Sequence, residues 1–192
     1  MGNETGFSAD KAIIAKILSG NTQDFAVIVK STEKLVAQIV RNMMPNPDDQ
    51  KDLVQDIYLK VYQNLSSFQY KSKLSTWIAN VAYNTTVNYL QKKKIPILDI
   101  EINPESKSTG SGNMEQEIFK KETLEILHLE LNKLPPLYKT LLTLYHLEEL
   151  PNSEIAEITK LPEGTIKSYL YRARKILKDN MNQHFKIYIH EK

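Results

Sequence analysis

The segment Asn152-Ser153-Glu154-Ile155-Ala156-Glu157-Ile158-Thr159-Lys160-Leu161-Pro162-Glu163-Gly164-Thr165-Ile166-Lys167-Ser168-Tyr169-Leu170 has the pattern of two short helices joined by a tight turn. Ile155 and the small Ala156 would pack the first helix on the second, and Ile166 and Leu170 would hold the second by its inner side. Thr165, Lys167, Ser168, Tyr169 and Arg172 are then left on the outer side, with Tyr171 beside them and Arg174 and Lys175 extending the positive charge. Hydroxyls there suit phosphate oxygens, and Lys and Arg suit phosphates or guanine edges, so the face fits a DNA major groove. A plain helical hairpin has the same apolar pattern, so the motif alone leaves both readings open.

Two further clusters stand out. Asp48, Asp49, Asp52 and Asp56 line up at helical spacing with Leu53 and Gln55 among them. Acids in a first turn favour the helix dipole, which accounts for Asp48, Asp49 and Asp52. Like charges four residues apart disfavour a lone helix, so a basic partner outside the chain is the other account. Asp48-Asp49-Gln50-Lys51-Asp52 also has the DDxxD spacing that holds Mg²⁺–diphosphate in isoprenoid synthases, but the second carboxylate cluster such a site needs is missing. Lys92-Lys93-Lys94 forms a cationic focus. His128, His146, His184 and His190 show no metal-ligand spacing, and no nucleophile–base pattern or phosphate-binding glycine loop is present.

The elements that must place these groups are helical. Phe25, Ile28, Val29, Leu35, Val36, Ile39, Val40 and Met43 recur in three- and four-residue steps. Asn21 or Thr22 would cap that helix, and Pro45 and Pro47 would close it. Asp48 or Asp49 would open the next, with Leu53, Ile57, Val61 and Leu65 on one side. A loop over 66–73 precedes a long helix over about 74–94, in which Trp77 sits on the apolar side with Leu74, Ile78, Val81 and Ala82. A shorter amphipathic helix over about 9–18 precedes them all and stops at Gly20. Pro96 ends the first half, and Asn103 to Gly112 reads as a flexible linker. Leu124, Leu127, Leu131 and Leu134 form the next stripe, Pro136 suits a first helical turn, and Leu137, Leu141 and Leu144 follow. Asn152 would cap a short helix, and a last helix would run over about 163–181 before a tail of alternating polar and apolar residues that either extends the helix or packs on a neighbour.

Composition fits that picture. In a chain of 192 residues, 41% hydrophobic and 25% charged side chains exclude wholesale disorder. No stretch approaches the roughly 18–20 apolar residues of a membrane span, so no direct membrane insertion is expected. The polar N-terminus does not read as a signal peptide. The absence of cysteine excludes disulfides and thiolate sites and points to a reducing, cytoplasmic setting. Net charge is +4 over 1–94, −4 over 95–133 and +2 over 134–192, a pattern that fits two polyanion-binding surfaces flanking an acidic middle and fits equally a pair of solvated helix faces.

These residues together resemble bacterial RNA polymerase sigma factors of the sigma-70 family, in the short extracytoplasmic-function (ECF) subgroup. Glu154 to Ile158, Leu161 to Ser168 and Arg172-Ala173-Arg174-Lys175 resemble conserved region 4, whose start is similar to Leu134-Pro135-Pro136 and Leu141-Leu142. Asp52 to Tyr62 resembles region 2.2, and Leu74 to Ile78 with Ala82, Asn84, Asn88-Tyr89-Leu90 and Lys92 to Lys94 resembles regions 2.3 and 2.4. The resemblance covers about residues 9–180. Lys160 departs from it, standing where a turn glycine is usual, as do Pro151-Asn152 in place of Ser-Tyr, Tyr169 in place of Arg, and the lysines at 92–94 in place of arginines.

The resemblance implies an all-α protein of two small helical domains joined by a flexible linker, the second holding a helix-turn-helix. It implies region 2 over 1–96, a linker over 97–113, region 4 over 114–183 and a tail over 184–192. Asp52, Leu53, Gln55 and Asp56 would bind polymerase. Phe68, Tyr70, Lys71, Lys73, Asn80, Asn84, Asn88, Lys92, Lys93 and Lys94 would bind the −10 element, with Tyr83 nearby. Aromatics offer stacking to exposed bases, and Asn amides both donate and accept. Thr165, Lys167, Ser168, Tyr169, Arg172, Arg174 and Lys175 would read the −35 element. The implied partners are core RNA polymerase (its β′ clamp helices and β subunit), promoter DNA and, as in many relatives, an anti-sigma factor. No enzyme activity, cofactor or metal is implied. The alternative is a regulator that binds DNA without polymerase, its first half a dimerisation or sensor bundle.

Overall fold

The structure, a computed structural model, describes residues 3–97 and 117–190, and side chains over 9–97 and 123–184. The expected linker thus lies outside the described residues, apart from Ile97. Helix α1 spans Asn3–Leu18 and ends at Gly20, whose φ of +107° needs glycine. A 3-10 turn over Thr22–Asp24 leads into α2, Phe25–Met43. Asn21 does not cap it; its amide donates to the Asp24 carboxylate at 3.1 Å. Ile28, Val36, Ile39, Val40 and Met43 of α2 are buried. Helix α3, Pro47–Asn64, starts one residue before the expected acids, because the Asn46 side chain accepts from the Asp48 N–H and Pro47 pre-sets the first turn. Its inner side is Leu53, Ile57 and Val61.

A second 3-10 turn, Leu65–Ser67, and a short irregular stretch lead to α4, Leu74–Lys92. The first N–H of α4 is taken by the Asp10 carboxylate of α1. The helix closes two residues earlier than the spacing suggested, through left-handed Lys94 (φ 56°) and an Ile95 N–H to Leu90 carbonyl bond of 3.0 Å.

The second half comprises α5 (Glu117–Lys133), α6 (Pro136–His146), α7 (Asn152–Thr159) and α8 (Glu163–His190). Pro136 opens α6 as its ring favours, and Leu137, Tyr138, Leu141 and Leu144 are buried beneath it. Leu124 is exposed, so the α5 stripe begins effectively at Leu127. Asn152 does not cap α7: it is the first helical residue, Pro151 holds the cap position, and its Oδ1 is buried without a partner. Lys160 adopts the left-handed conformation at φ 60°, so the turn keeps the geometry that glycine would favour. Helix α8 runs unbroken past 181 to His190, so the tail extends the helix, one of the two outcomes its pattern allows. Part of the reason is Glu130 on α5, 1% exposed, which accepts from Lys133 (2.6 Å), Asn180 (2.9 Å) and, at 2.8 Å, pairs with His184. Burial alone would raise the Glu130 pKa; these hydrogen bonds outweigh it, and the pKa is lowered.

The two halves pack together, α4 against α7 and α2 against α6. Asn42 donates to Thr143 at 2.8 Å, Lys34 pairs with Glu148 at 3.5 Å, and the Leu137 N–H reaches the Ile97 carbonyl. The contact is imperfectly satisfied. Buried oxygens of Gln38, Tyr138 and Asn152, on or beside the elements that meet, have no hydrogen-bond partner within the protein. Each such group costs about 1–3 kcal/mol in lost hydration.

Candidate nucleic-acid interface

Helix α8 separates its faces cleanly. Ile166, Leu170 and Ala173 are buried, while Lys167, Ser168, Tyr171, Arg172 and Lys175 are exposed at the steps of one outer strip. Tyr171, 68% exposed, lies within that strip, on the outer side beside which its spacing puts it. Three expected residues do not belong to it in the same way. Tyr169 is half-buried with its ring 5.4 Å from Tyr138, so it packs on the core. Thr165 is half-buried at the start of the helix. Arg174 donates from Nε to His146 Nε2 at 3.1 Å and lies over the Tyr145 ring at 5.1 Å, which directs it toward α6. Burial and the Arg174 charge lower the His146 pKa, which keeps the imidazole neutral and able to accept.

The face expected for melted DNA is partly occupied. Phe68 is buried, 5.5 Å from Trp77 and 4.8 Å from Tyr70, and so belongs to the core rather than to a stacking surface. Trp77 is half-buried in the same cluster, as its apolar position implied. Tyr83 is likewise buried, its hydroxyl pushed up to about 12 by desolvation. Tyr70 remains exposed on a backbone strained to φ 57°, and Lys71 is exposed beside it. Lys73 pairs with Glu154 at 2.6 Å, and Thr76 donates to the same carboxylate at 2.9 Å. Asn80 donates to the carbonyls of Glu157 (2.9 Å) and Ile158 (2.8 Å), closing the end of α7 from the other half of the chain. Asn84 is half-buried and Asn88 exposed. Lys92 and Lys94 are exposed, whereas Lys93 pairs with Asp49 at 3.0 Å and rests over Tyr89 at 4.7 Å. Hydrogen bonds to Tyr89 and Asp49 raise the Lys93 pKa, and its hydrogen bond lowers that of Asp49.

On α3 the acidic strip is open. Asp52, Gln55 and Asp56 are exposed, and exposed Leu59 continues the same side. Leu53 does not join them: at 3% exposure it is a core residue, because it falls on the Ile57–Val61 side of the helix. Among the described residues no group of three His, Asp or Glu is placed to hold a metal ion, and no helix is long and apolar enough to cross a membrane.

Comparison with known proteins bears on this arrangement. Residues 28–95 match Sigma-70 region 2, and residues 124–177 match Sigma-70, region 4. The ECF RNA polymerase sigma factor SigW of Bacillus subtilis (strain 168) is 30% identical over 182 residues, spanning 89% of this chain and 96% of that one. The chain belongs to the sigma-70 family. The ECF RNA polymerase sigma-E factor of Escherichia coli (strain K12) is 31% identical over 182 residues, 91% of this chain and 94% of its own. As an ECF sigma factor, the protein directs promoter-specific transcription. The fold is shared with CnrH, solved with the cytosolic domain of CnrY, at TM-score 0.64, 18% identity and coverage of 91% and 98%. It is shared too with RpoE of Bartonella quintana, solved with the anti-sigma factor NepR, at TM-score 0.62, 22% identity and coverage of 83% and 98%. In this sigma factor, Thr76, Glu154 and the end of α7 escaped sequence reasoning. Their contacts join residues 77 to 81 positions apart, and no local pattern announces such pairs.

Proposed function

We propose that this sigma factor divides promoter reading between its two halves and meets polymerase through α3. The observation that carries the proposal is the exposed strip Lys167–Ser168–Tyr171–Arg172–Lys175 on a helix held by buried Ile166, Leu170 and Ala173. That strip, supported by Thr165, would read duplex −35 DNA, with Tyr169 and Arg174 setting the helix in place from its inner and lateral sides. Tyr70, Lys71, Lys73, Asn80, Asn84, Asn88 and Lys92 to Lys94 would take melted −10 DNA, assisting strand opening. Asp52, Gln55 and Asp56 would meet basic groups of core polymerase, at the β′ clamp helices by family likeness, with the β subunit as a further contact.

The first domain would span 1–96 and the linker 97–113. The second would begin at 114 and take in the former tail, since α8 is continuous to His190. A non-catalytic, cytoplasmic initiation factor without cofactor fits these surfaces. The anti-sigma complex of RpoE supports an anti-sigma factor as a further partner. Purified core polymerase, this protein and a library of promoter fragments test the reading. Specific transcripts only when both proteins are present support it. DNA binding with no polymerase-dependent transcript overturns it.

A further inference from the structure

We propose that His146 is a positioning residue for DNA binding: it aims Arg174 at a backbone phosphate beside the −35 element without neutralising it. The proposal rests on the −35 reading of α8 given above and assigns the lateral edge of that helix a phosphate rather than a base. Arg174 directly precedes exposed Lys175 and turns toward the last residue of α6, so it borders the outer strip on its α6 side. Phosphates line the rims of a groove, whereas base edges lie within it. The Arg174 Nε donates to His146 Nε2 at 3.1 Å, and the guanidinium lies over the Tyr145 ring at 5.1 Å. That ring stands edge-on to the imidazole, with centroids 4.9 Å apart, so the three groups brace one another. Nε is thereby engaged and the plane of the fork set, which leaves the terminal N–H groups for an anion. Among the described residues no carboxylate pairs with Arg174, which stays exposed. A carboxylate at this place would orient the guanidinium and cancel its charge; a neutral imidazole orients it and leaves the charge whole. Burial and the Arg174 charge hold the His146 pKa below its ordinary value, which keeps Nε2 an acceptor at neutral pH. An arginine already held in place loses less side-chain freedom when a phosphate arrives.

Holoenzyme made from core polymerase and this protein, or its variants, tests the proposal by titration against two duplexes over a range of salt. One is a promoter fragment that the holoenzyme transcribes, and the other is the same fragment with its −35 element scrambled. Arg174→Ala should weaken binding several-fold and equally on both, and should reduce the slope of log affinity against log salt by about 0.9, one phosphate contact. His146→Ala keeps the Arg174 charge, so it should lower affinity at unchanged slope. His146→Gln, whose amide oxygen can accept in place of Nε2, should restore wild-type affinity. With Arg174→Ala already present, adding His146→Ala should change nothing further. An unchanged slope in Arg174→Ala overturns the proposal, as does a loss confined to the fragment with the intact −35 element. So does a His146→Ala loss that persists without Arg174. Each of these leaves the sigma-factor reading intact. A wild-type holoenzyme that does not distinguish the two duplexes overturns the −35 reading and the proposal with it.

Discussion

Neighbouring residues of one helix have opposite fates here, and the difference is angular. Leu53 and Asp52 are adjacent, yet a step of about 100° puts one in the core and the other in water. Asp56→Lys should therefore abolish co-purification with core polymerase at unchanged helical content. Leu53→Ala should instead cost about 2–5 kcal/mol of stability, read from urea denaturation, while its folded fraction still binds polymerase. The same logic separates the arginines of α8. Arg172→Ala should weaken binding to duplex −35 DNA by about 1–3 kcal/mol if the guanidinium makes a bidentate base contact. Arg174→Ala, whose guanidinium is directed to His146 and Tyr145, should lose less affinity in the same titration. Sequence spacing placed Arg172 well because its own helix sets its direction. It did not anticipate that Tyr169 and Phe68 pack inward on Tyr138 and Trp77, or that Arg174, still exposed, turns toward His146 and Tyr145.

Helices were the legible level, since their apolar stripes are local and repeated every turn. Their ends were less so: Asn46 rather than an aspartate opens α3, and α8 outruns its expected end by nine residues, held as far as His184 by Glu130, a contact fifty residues and more away in sequence. That carboxylate yields a pH prediction with a definite sign. Its pKa in the fold lies below the ordinary 4.5, so its contribution is complete above pH 4.5 and is lost as the pH falls through the folded value. Urea midpoints should fall over that acid range in the wild type, and Glu130→Gln should flatten the fall while lowering stability at neutral pH. The turn between α7 and α8 supplies another test. Left-handed Lys160 carries about 1–2 kcal/mol of steric cost, against about 0.5–1 kcal/mol of extra chain entropy that glycine would lose on folding. Lys160→Gly should thus raise stability by up to about 1 kcal/mol, measured by the same denaturation, without altering −35 binding.

At the scale of the whole molecule, the two family regions could be read from sequence in order, but their mutual packing could not. The residues that join the halves (Asn42, Thr76, Asn80, Thr143, Glu154) are ordinary surface polar types with nothing periodic about them. Fluorophores on Ser67→Cys and Ser168→Cys should report one short distance in the free protein and a longer one in the holoenzyme. The cap that Asn80 sets on α7 has a further consequence, in the order in which the chain is made. Asn80 leaves the ribosome 78 residues ahead of the Ile158 carbonyl that it will hold. At roughly 5–20 residues per second, the α4 face exists for about 4–16 seconds before its cover is synthesised. A nascent first half thus passes through an interval in which its α4 face stands uncovered by its own chain.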